Sequence, residues 1–327
     1  CIRDRGTPTL VKSGLDPYEI FGFSPEGSFY YAISKEWNDV YVAELDPKGT
    51  DKVKQVTKMT SRNEGNNKTP DYSPDGNYLA YVTAQNKMGI NSSSVWGDVL
   101  VIRNLESGDE QVYIPEFTNI GYPRWSPDGN SILTVYRTPK NEFGIFLLDK
   151  RSGKIDTIGQ PTRMNLGFGR HDWSPDGSSF YIGNRDSGTF TSRIHRYSFS
   201  ESTDEVVYES TNTIWSLFLS PDGKRLALID KDKGYGLSVI PSSGGDPTFL
   251  FRFGENDPII LGTSNSVAWS PDNKYLYFTL RDASTGKMDW ELCRIPADGG
   301  EIEKLGLVVP RPISNLCFHP DDLQWLA

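Results

Sequence analysis

Short runs of apolar and aromatic residues alternate with polar turns along the chain, and alanine-rich helical patterns are scarce. Residues 78–82 and 275–278 are two such runs, and residues 143–148 form another. Runs of this composition, separated by Gly-rich or polar segments, are typical of strands joined by tight turns. The pattern therefore predicts an all-β protein.

One tetrapeptide interrupts this pattern at regular intervals. It is Ser-Pro-Asp-Gly or a close variant, and its successive copies begin 46 to 53 residues apart. Repetition at this period is typical of repeat architectures such as propellers. The copies begin at Ser24, Ser73, Ser126, Ser174, Ser220 and Ser270, and a degenerate seventh begins at His319.

The tetrapeptide is predicted to form a tight turn. Proline sets the φ angle of the first central residue, Asp can bond its own backbone, and Gly accepts a positive φ. The alternative interpretation is an array of catalytic or metal-binding aspartates. It fails because each Asp belongs to a separate repeat, which places neighbouring copies one module apart.

Each repeat contains four short predicted strands, which is the composition of a propeller blade. Seven copies predict a seven-bladed β-propeller of four-stranded antiparallel blades, forming one domain over residues 1–327. A strand at residues 7–12 is expected to complete the last blade and close the ring. That blade lacks a third strand, so the natural chain is expected to continue past Ala327.

The unit Trp-Ser-Pro-Asp-Gly, at residues 125–129 and 173–177, resembles the WD-like Pro-Asp repeat of TolB-type β-propellers. An Asp-Gly-Gly turn at residues 298–300 adds to the resemblance, which covers nearly the whole chain. The same repeat occurs in the propellers of some peptidases. The resemblance implies the fold and a bacterial envelope setting, but no specific function, because propellers serve many functions.

Charge and composition exclude several classes of protein. The 327 residues carry a net charge of -9 with no Lys/Arg stripe, which argues against nucleic-acid binding because phosphate neutralisation needs clustered cations. No apolar run approaches the ~18 residues that span a bilayer. Cys293 and Cys317 are expected to be buried thiols. Cys1 is a candidate for the lipid-bearing residue of a mature lipoprotein, or else the first residue of a trimmed chain.

The long loops are the predicted partner-binding face. Connections between strands one and two and between strands three and four are short, whereas those on the opposite rim are long. Binding residues concentrate on loops held by a rigid scaffold. An alternative role in blade packing stays open for Arg137, Arg185 and Arg281. The tryptophans have the alternative role of covering the bases of the loops. The candidates are Trp37, Trp96, Arg137, Phe168, Arg170, His171, Arg185, Arg281, Trp290 and Arg311.

The central channel is a second predicted feature. By their positions in the repeat, Asp71, Arg124 and Asp172 are expected to lie near it. A channel cation such as calcium is an open alternative. No metal-ligand spacing demands a metal, and no cofactor is expected.

Signatures of catalysis are absent from the sequence. The chain lacks H-E-x-x-H, G-x-S-x-G, a phosphate-binding Gly loop and a dinucleotide fingerprint. We therefore expect a non-catalytic scaffold that binds a protein or peptide partner in the periplasm or at the outer membrane or cell surface of a bacterium. Two alternatives stay open: the recognition or gating propeller of a larger enzyme such as a peptidase, and a carbohydrate-active propeller enzyme using Arg170, His171 and nearby acids.

Overall fold

A computed structural model gives the architecture of the chain. Its described residues form antiparallel strands almost throughout, with one turn of 3-10 helix at Ala283–Thr285. The prediction of an all-β protein is confirmed. No helix in this described part could cross a membrane. The described residues are 18–23, 29–33, 39–45, 53–60, 66–87, 95–117, 119–138, 140, 142–162, 171–186, 188–231, 234–254, 257–262, 266–313, 315–319 and 324–326.

The N-terminal part contributes four strands to two different sheets. β1 (Tyr18–Phe23) and β2 (Phe29–Ile33) form an antiparallel hairpin, and among the described strands they pair only with each other. β3 (Tyr41–Leu45) and β4 (Val53–Lys58) pair with each other and join a sheet completed by the last two strands of the chain.

The middle of the chain folds into four regular blades, named A to D in chain order. Each blade uses four consecutive antiparallel strands, and its first strand lies innermost. Blade A comprises β5 (Asn67–Tyr72), β6 (Tyr78–Lys87), β7 (Val95–Asn104) and β8 (Glu110–Tyr113); blade B comprises β9 (Asn119–Trp125), β10 (Ser131–Arg137), β11 (Phe143–Asp149) and β12 (Ile155–Thr162); blade C comprises β13 (His171–Trp173), β14 (Ser179–Arg185), β15 (Ser192–Ser198) and β16 (Thr203–Ser210); blade D comprises β17 (Thr213–Leu219), β18 (Arg225–Lys231), β19 (Gly234–Pro241) and β20 (Thr248–Gly254).

Blade E differs from the others because its inner strand is broken in two. β21 (Ile259–Leu261) and β22 (Ala268–Trp269) pair with opposite ends of β23 (Tyr275–Asp282). β24 (Trp290–Pro296) and β25 (Glu303–Val309) complete the sheet.

Blade F closes the ring with strands from both ends of the described chain. Its inner strands are β26 (Cys317–Phe318) and β27 (Gln324–Leu326), and its outer strands are β3 and β4. β26 lies between β22 of blade E and β5 of blade A, so the innermost strands form a closed ring. Closure leaves no open face between the first and last blades.

The predicted number of blades, seven, is wrong. The described strands form five four-stranded sheets, blade E with its additional strand, and the separate two-stranded hairpin. The first repeat supplies β1 to β4, but only its outer half joins the ring. The spacing of the repeats does not reveal this pairing. It predicts where each hairpin lies in the sequence, but not which two hairpins pair when the ring closes. The predicted closing strand at 7–12 lies outside the described residues.

The tight turns predicted from the repeat are present in blades A to E, and they share one hydrogen-bond pattern. In blade B, Ser126 Oγ donates to Asp128 Oδ1 at 2.5 Å and accepts from the Ser131 backbone N–H at 2.9 Å. Gly129 has a φ of 69°, in the left-handed region that favours glycine. The serines that make the same two bonds in the other blades are Ser73, Ser174, Ser220 and Ser270.

Apolar side chains between neighbouring blades form the core. Ile229 and Leu237 of blade D pack in one fully buried cluster with Phe278 and Ile295 of blade E. Burying one side chain of this size stabilises the folded state by about 1.5 to 3 kcal/mol. This packing holds the innermost strands, and therefore the channel wall, in fixed positions.

Candidate functional site

A funnel opens at the centre of the ring, on the rim formed by the tight turns. Its volume is about 470 Å³, within the range of pockets that hold a small ligand or a few side chains of a partner. The long loops lie on the opposite rim. Five turn prolines surround the mouth of the funnel: Pro74, Pro127, Pro175, Pro221 and Pro271.

One position of the repeat contributes a side chain to the funnel wall from every blade. It lies two residues before the Ser or His that begins each turn. Blades A to C place charged residues there, and blades D to F place uncharged ones. The first set, Asp71, Arg124 and Asp172, is called the polar half of the funnel, and the second, Phe218, Ala268 and Cys317, the apolar half.

The guanidinium of Arg124 joins the two carboxylates of the polar half. Its Nη1 lies 2.7 Å from Asp71 Oδ1, and its Nη2 lies 2.5 Å from Asp172 Oδ1. The Arg124 side chain is 22% exposed, against 12% for Asp71 and 5% for Asp172. The funnel therefore presents the cation more than the carboxylates.

The two carboxylates also keep Arg124 charged. Burial alone would lower the pKa of the guanidinium, but the charges of Asp172 and Asp71 outweigh it and raise the pKa above its ordinary value. A charged group between two anions needs no further counterion. In the part of the chain that the structure describes, no group of three or more His, Cys, Asp or Glu side chains is placed to hold a metal ion.

Each carboxylate of the polar half also bonds to the backbone of a neighbouring blade. Asp71 Oδ2 accepts from the Trp125 N–H at 2.9 Å, and Asp172 Oδ2 accepts from the Leu219 N–H at 2.8 Å. These bonds fix the positions of both carboxylates in the funnel wall.

The aromatic residue next to the wall position ties the blades together. Trp125 Nε1 donates to the Asp71 carbonyl at 3.2 Å, and Trp269 Nε1 donates to the Phe218 carbonyl at 2.8 Å. Trp173 makes the equivalent bond to the preceding blade at 3.1 Å. The same kind of bond therefore occurs in both the polar and the apolar half of the wall.

The apolar half extends into residues beside the wall position. Leu219, Leu316 and Phe318 line this side of the funnel. His319, which replaces the turn serine in blade F, sets its ring edge-on to Tyr72 with centroids 4.7 Å apart. This side of the funnel is therefore lined mainly by apolar side chains.

Three predicted rim arginines share one arrangement at the ends of second strands. Each guanidinium carbon lies 5.4 to 5.7 Å from the centroid of a nearby aromatic ring. Such cation–π pairs stabilise by about 0.5 to 1 kcal/mol at exposed sites, which fits the packing role considered for these residues. The pairs are Arg137 with Phe143, Arg185 with Phe190 and Arg281 with Trp290.

The other predicted rim residues are scattered. His171 is fully buried and donates from Nε2 to the Leu133 carbonyl at 3.1 Å, between blades B and C. Trp290 is 8% exposed, whereas Arg311 is exposed. The backbone of Trp96 lies in β7. The remaining candidates, Trp37, Phe168, Arg170 and the possible lipid-attachment residue Cys1, lie outside the described residues.

The funnel contains residues that the sequence analysis did not select. Its prediction that Asp71, Arg124 and Asp172 lie near the channel is confirmed. Phe218 and Cys317 occupy the same repeat position but were missed. The signal that could have identified them is their position. In an alignment of the repeats on the turn, both lie two residues before the residue that begins the turn.

The fold and the funnel define a β-propeller built from repeated Pro-Asp turns. Residues 68–257 match the family described as the TolB beta propeller domain. This match covers more than half of the chain, and the chain belongs to that family.

Two curated proteins are similar to parts of this chain. It is 30% identical over 193 residues to the uncharacterized protein Atu1656 of Agrobacterium fabrum, covering 54% of this chain and 57% of that protein. It is 25% identical over 214 residues to the uncharacterized peptidase YuxL of Bacillus subtilis, covering 64% of this chain and 29% of that protein. The chain therefore spans less than two thirds of either relative.

A solved structure shares the fold. TolB from Acinetobacter baumannii aligns with a TM-score of 0.64 at 17% identity, over 89% of this chain and 67% of that one. At this identity the likeness concerns the fold alone.

Proposed function

We propose that the chain is a non-catalytic propeller that binds a segment of a protein partner in its funnel. The observation that supports this most is the funnel wall, in which a fixed Arg124 network faces an apolar surface across about 470 Å³. A segment carrying an apolar side chain next to a hydrogen-bonding group matches both halves. Desolvated pockets of this kind hold the anchoring side chains of interfaces.

A displayed library of random peptides tests this proposal with a defined probe. Peptides selected on the purified protein are titrated against the Leu219→Asp variant, which puts a charge on the apolar side of the mouth. We expect the affinity to fall at least about tenfold, or 1.4 kcal/mol. The matched control is Phe249→Asp, because Phe249 is 57% exposed on the outermost strand of blade D. Equal binding by wild type and both variants contradicts the proposal.

The proposed setting is the bacterial cell envelope, with Cys1 as a lipid-attachment residue. Membership of the TolB propeller family supports the setting, and the cysteine at position 1 supports the anchor. Antibodies against the protein are expected to detect it in the periplasmic or membrane fraction of the cells that make it. Detection in the cytoplasmic fraction contradicts this setting.

A second candidate is a recognition propeller within a larger enzyme. The match to less than a third of a Bacillus subtilis peptidase supports it. The complete coding sequence is the test. A segment with a G-x-S-x-G nucleophile motif outside residues 1–327 favours this candidate, whereas a complete sequence without any hydrolase segment removes it.

A further inference from the structure

Two hairpins of this chain carry the signature of an innermost hairpin, but blade F uses only one of them. β1 and β2 precede β3 directly, as inner strands precede outer strands in blades A to D. Nevertheless β3 pairs with β27 from the C-terminal hairpin. The N-terminal hairpin remains a separate two-stranded sheet among the described residues.

Among the described residues the C-terminal hairpin is the shorter of the two. β26 and β27 are two and three residues long, whereas β1 and β2 are six and five residues long. In the other blades the second strand has seven to ten residues. Each paired residue adds backbone hydrogen bonds, and among the described residues β26 and β27 pair at two positions, whereas β1 and β2 pair at five.

The turn sequences also favour the N-terminal hairpin. In the five regular turns the fourth residue has a φ of 63° to 73°. The N-terminal hairpin has Gly27 at this place, whereas the C-terminal hairpin has Asp322, and glycine enters this region of φ more readily than a residue with a side chain. The turn serine is kept as Ser24 but replaced by His319.

The connection between β2 and β3 is long enough for the two strands to pair. Seven residues, 34–40, separate them. Blades A and E join their second and third strands with seven residues as well, 88–94 and 283–289. Pairing of β2 with β3 therefore needs no unusual loop.

From these observations we propose that the innermost position of blade F is a strand-docking site with two occupants from the same chain. β26 and β27 fill it in the structure described here, and β1 and β2 fill it in an alternative form. In that form β3 keeps its pairing with β4, the ring stays closed, and the C-terminal hairpin is released.

The exchange would alter the apolar half of the funnel, because β26 carries part of that wall. Leu316, Cys317, Phe318 and His319 line the funnel in the structure described here. By position in the repeat, Gly22 and Phe23 would take the places of Cys317 and Phe318. A ligand that contacts His319 or Leu316 selects the C-terminal form, since a ligand shifts an equilibrium towards the form it binds more tightly. This consequence rests on the proposed function, whereas the exchange itself does not.

Amide hydrogen exchange, measured on the full chain without any ligand, tests whether the two hairpins can replace each other in blade F. Trp325→Pro blocks pairing of β27, because proline cannot join a central ladder. We expect the variant to stay folded, with the amides of residues 29–33 exchanging at least about tenfold more slowly than in wild type. Tyr31→Pro alone is the matched control and leaves β3 protected. In the double variant Tyr31→Pro/Trp325→Pro neither hairpin can pair with β3. The amides of β3 should then lose their protection from hydrogen exchange.

Disulfide trapping gives a second measurement that does not require Trp325→Pro to fold. Ala43→Cys is combined in turn with Cys at Tyr31, Ala32 and Ile33, in a Cys1→Ser background. Ala43→Cys with Trp325→Cys is the positive control, because Trp325 lies opposite Ala43. Slower exchange in β2 of Trp325→Pro, or a disulfide between β2 and β3, supports the proposal. The absence of both overturns it and leaves the funnel proposal untouched.

Discussion

The two halves of the funnel share one backbone design and differ in the side chains at a single repeat position. In blades A to C this position forms the Asp71–Arg124–Asp172 network, and in blades D to F it holds Phe218, Ala268 and Cys317. The tight turns and the Trp-to-carbonyl bonds beneath them occur on both sides. The repeat therefore sets the geometry of the wall, and one variable position sets its chemistry.

The halves also differ in how they are held. The polar half depends on charge pairing, because a buried charge is costly unless it is paired and hydrogen-bonded. The apolar half depends on packing, which has no directional requirement. Substitutions in the two halves should therefore lower the free energy of unfolding by different amounts, and these losses should depend differently on pH.

The largest expected effect comes from removing the central cation of the polar half. Arg124→Met leaves Asp71 and Asp172 buried without their counterion, which should lower the free energy of unfolding by about 3 to 5 kcal/mol at pH 7. The loss should shrink on acidification, because protonation removes the charge of a buried carboxylate whose neighbouring cation has been deleted. Urea denaturation at pH 5 and pH 7 measures both effects.

Arg193→Met is the matched control for this substitution. Arg193 pairs with Glu209 at 2.6 Å, but the two side chains are 30% and 55% exposed. Exposed ion pairs contribute about 0 to 1 kcal/mol. An equal loss in Arg193→Met and Arg124→Met would contradict the special role of the buried network.

The next effect concerns the apolar half. Phe218 is 2% exposed, and Phe218→Ala should lower the free energy of unfolding by about 3 kcal/mol, because it removes packing and enlarges a cavity. Unlike the loss in Arg124→Met, this loss should be the same at pH 5 and pH 7. A marked pH dependence would show that the two halves are not energetically distinct.

A smaller effect is expected in the turns that both halves share. Gly129 has a φ of 69° and an added Cβ would meet Pro74 Cδ only at 3.7 Å, so Gly129→Ala tests backbone conformation with little steric clash. The expected loss is roughly 1 kcal/mol. Gly121→Ala is the control, because Gly121 has no positive φ and no atom within 4 Å of an added Cβ. Thermal unfolding should separate the two variants.

The smallest effect concerns acid stability. The hydrogen bond from Ser126 holds the pKa of Asp128 below its ordinary value, and the Ser220 hydroxyl does the same for Asp222. Each Asp therefore adds stability that is present above the unfolded pKa of about 3.9 and is lost as the pH falls through the lowered folded value. Ser126→Ala and Ser220→Ala should each flatten the acid limb of the stability curve. A change in only one would show that the turns differ between the halves.

The repeat allowed much of the fold to be predicted from sequence. The turns of blades A to E depend on local residues such as Ser126 and Gly129, and they were predicted correctly. The number of blades was not, because the repeat spacing defines each hairpin but does not show that β3 pairs with β27 from the far end of the chain. His171 and Trp290 were assigned to a binding face, yet they are buried. Loop length indicates which rim varies, but not which side chains reach solvent.

The most direct test of the account is a crystal structure of the protein with a peptide selected on it. We predict that the peptide occupies the funnel, with an apolar side chain against Leu219 and Phe318 and a polar group within hydrogen-bonding distance of Arg124. A peptide seated on the opposite rim, beside Arg281 and Arg311, with the funnel unchanged, would contradict the account.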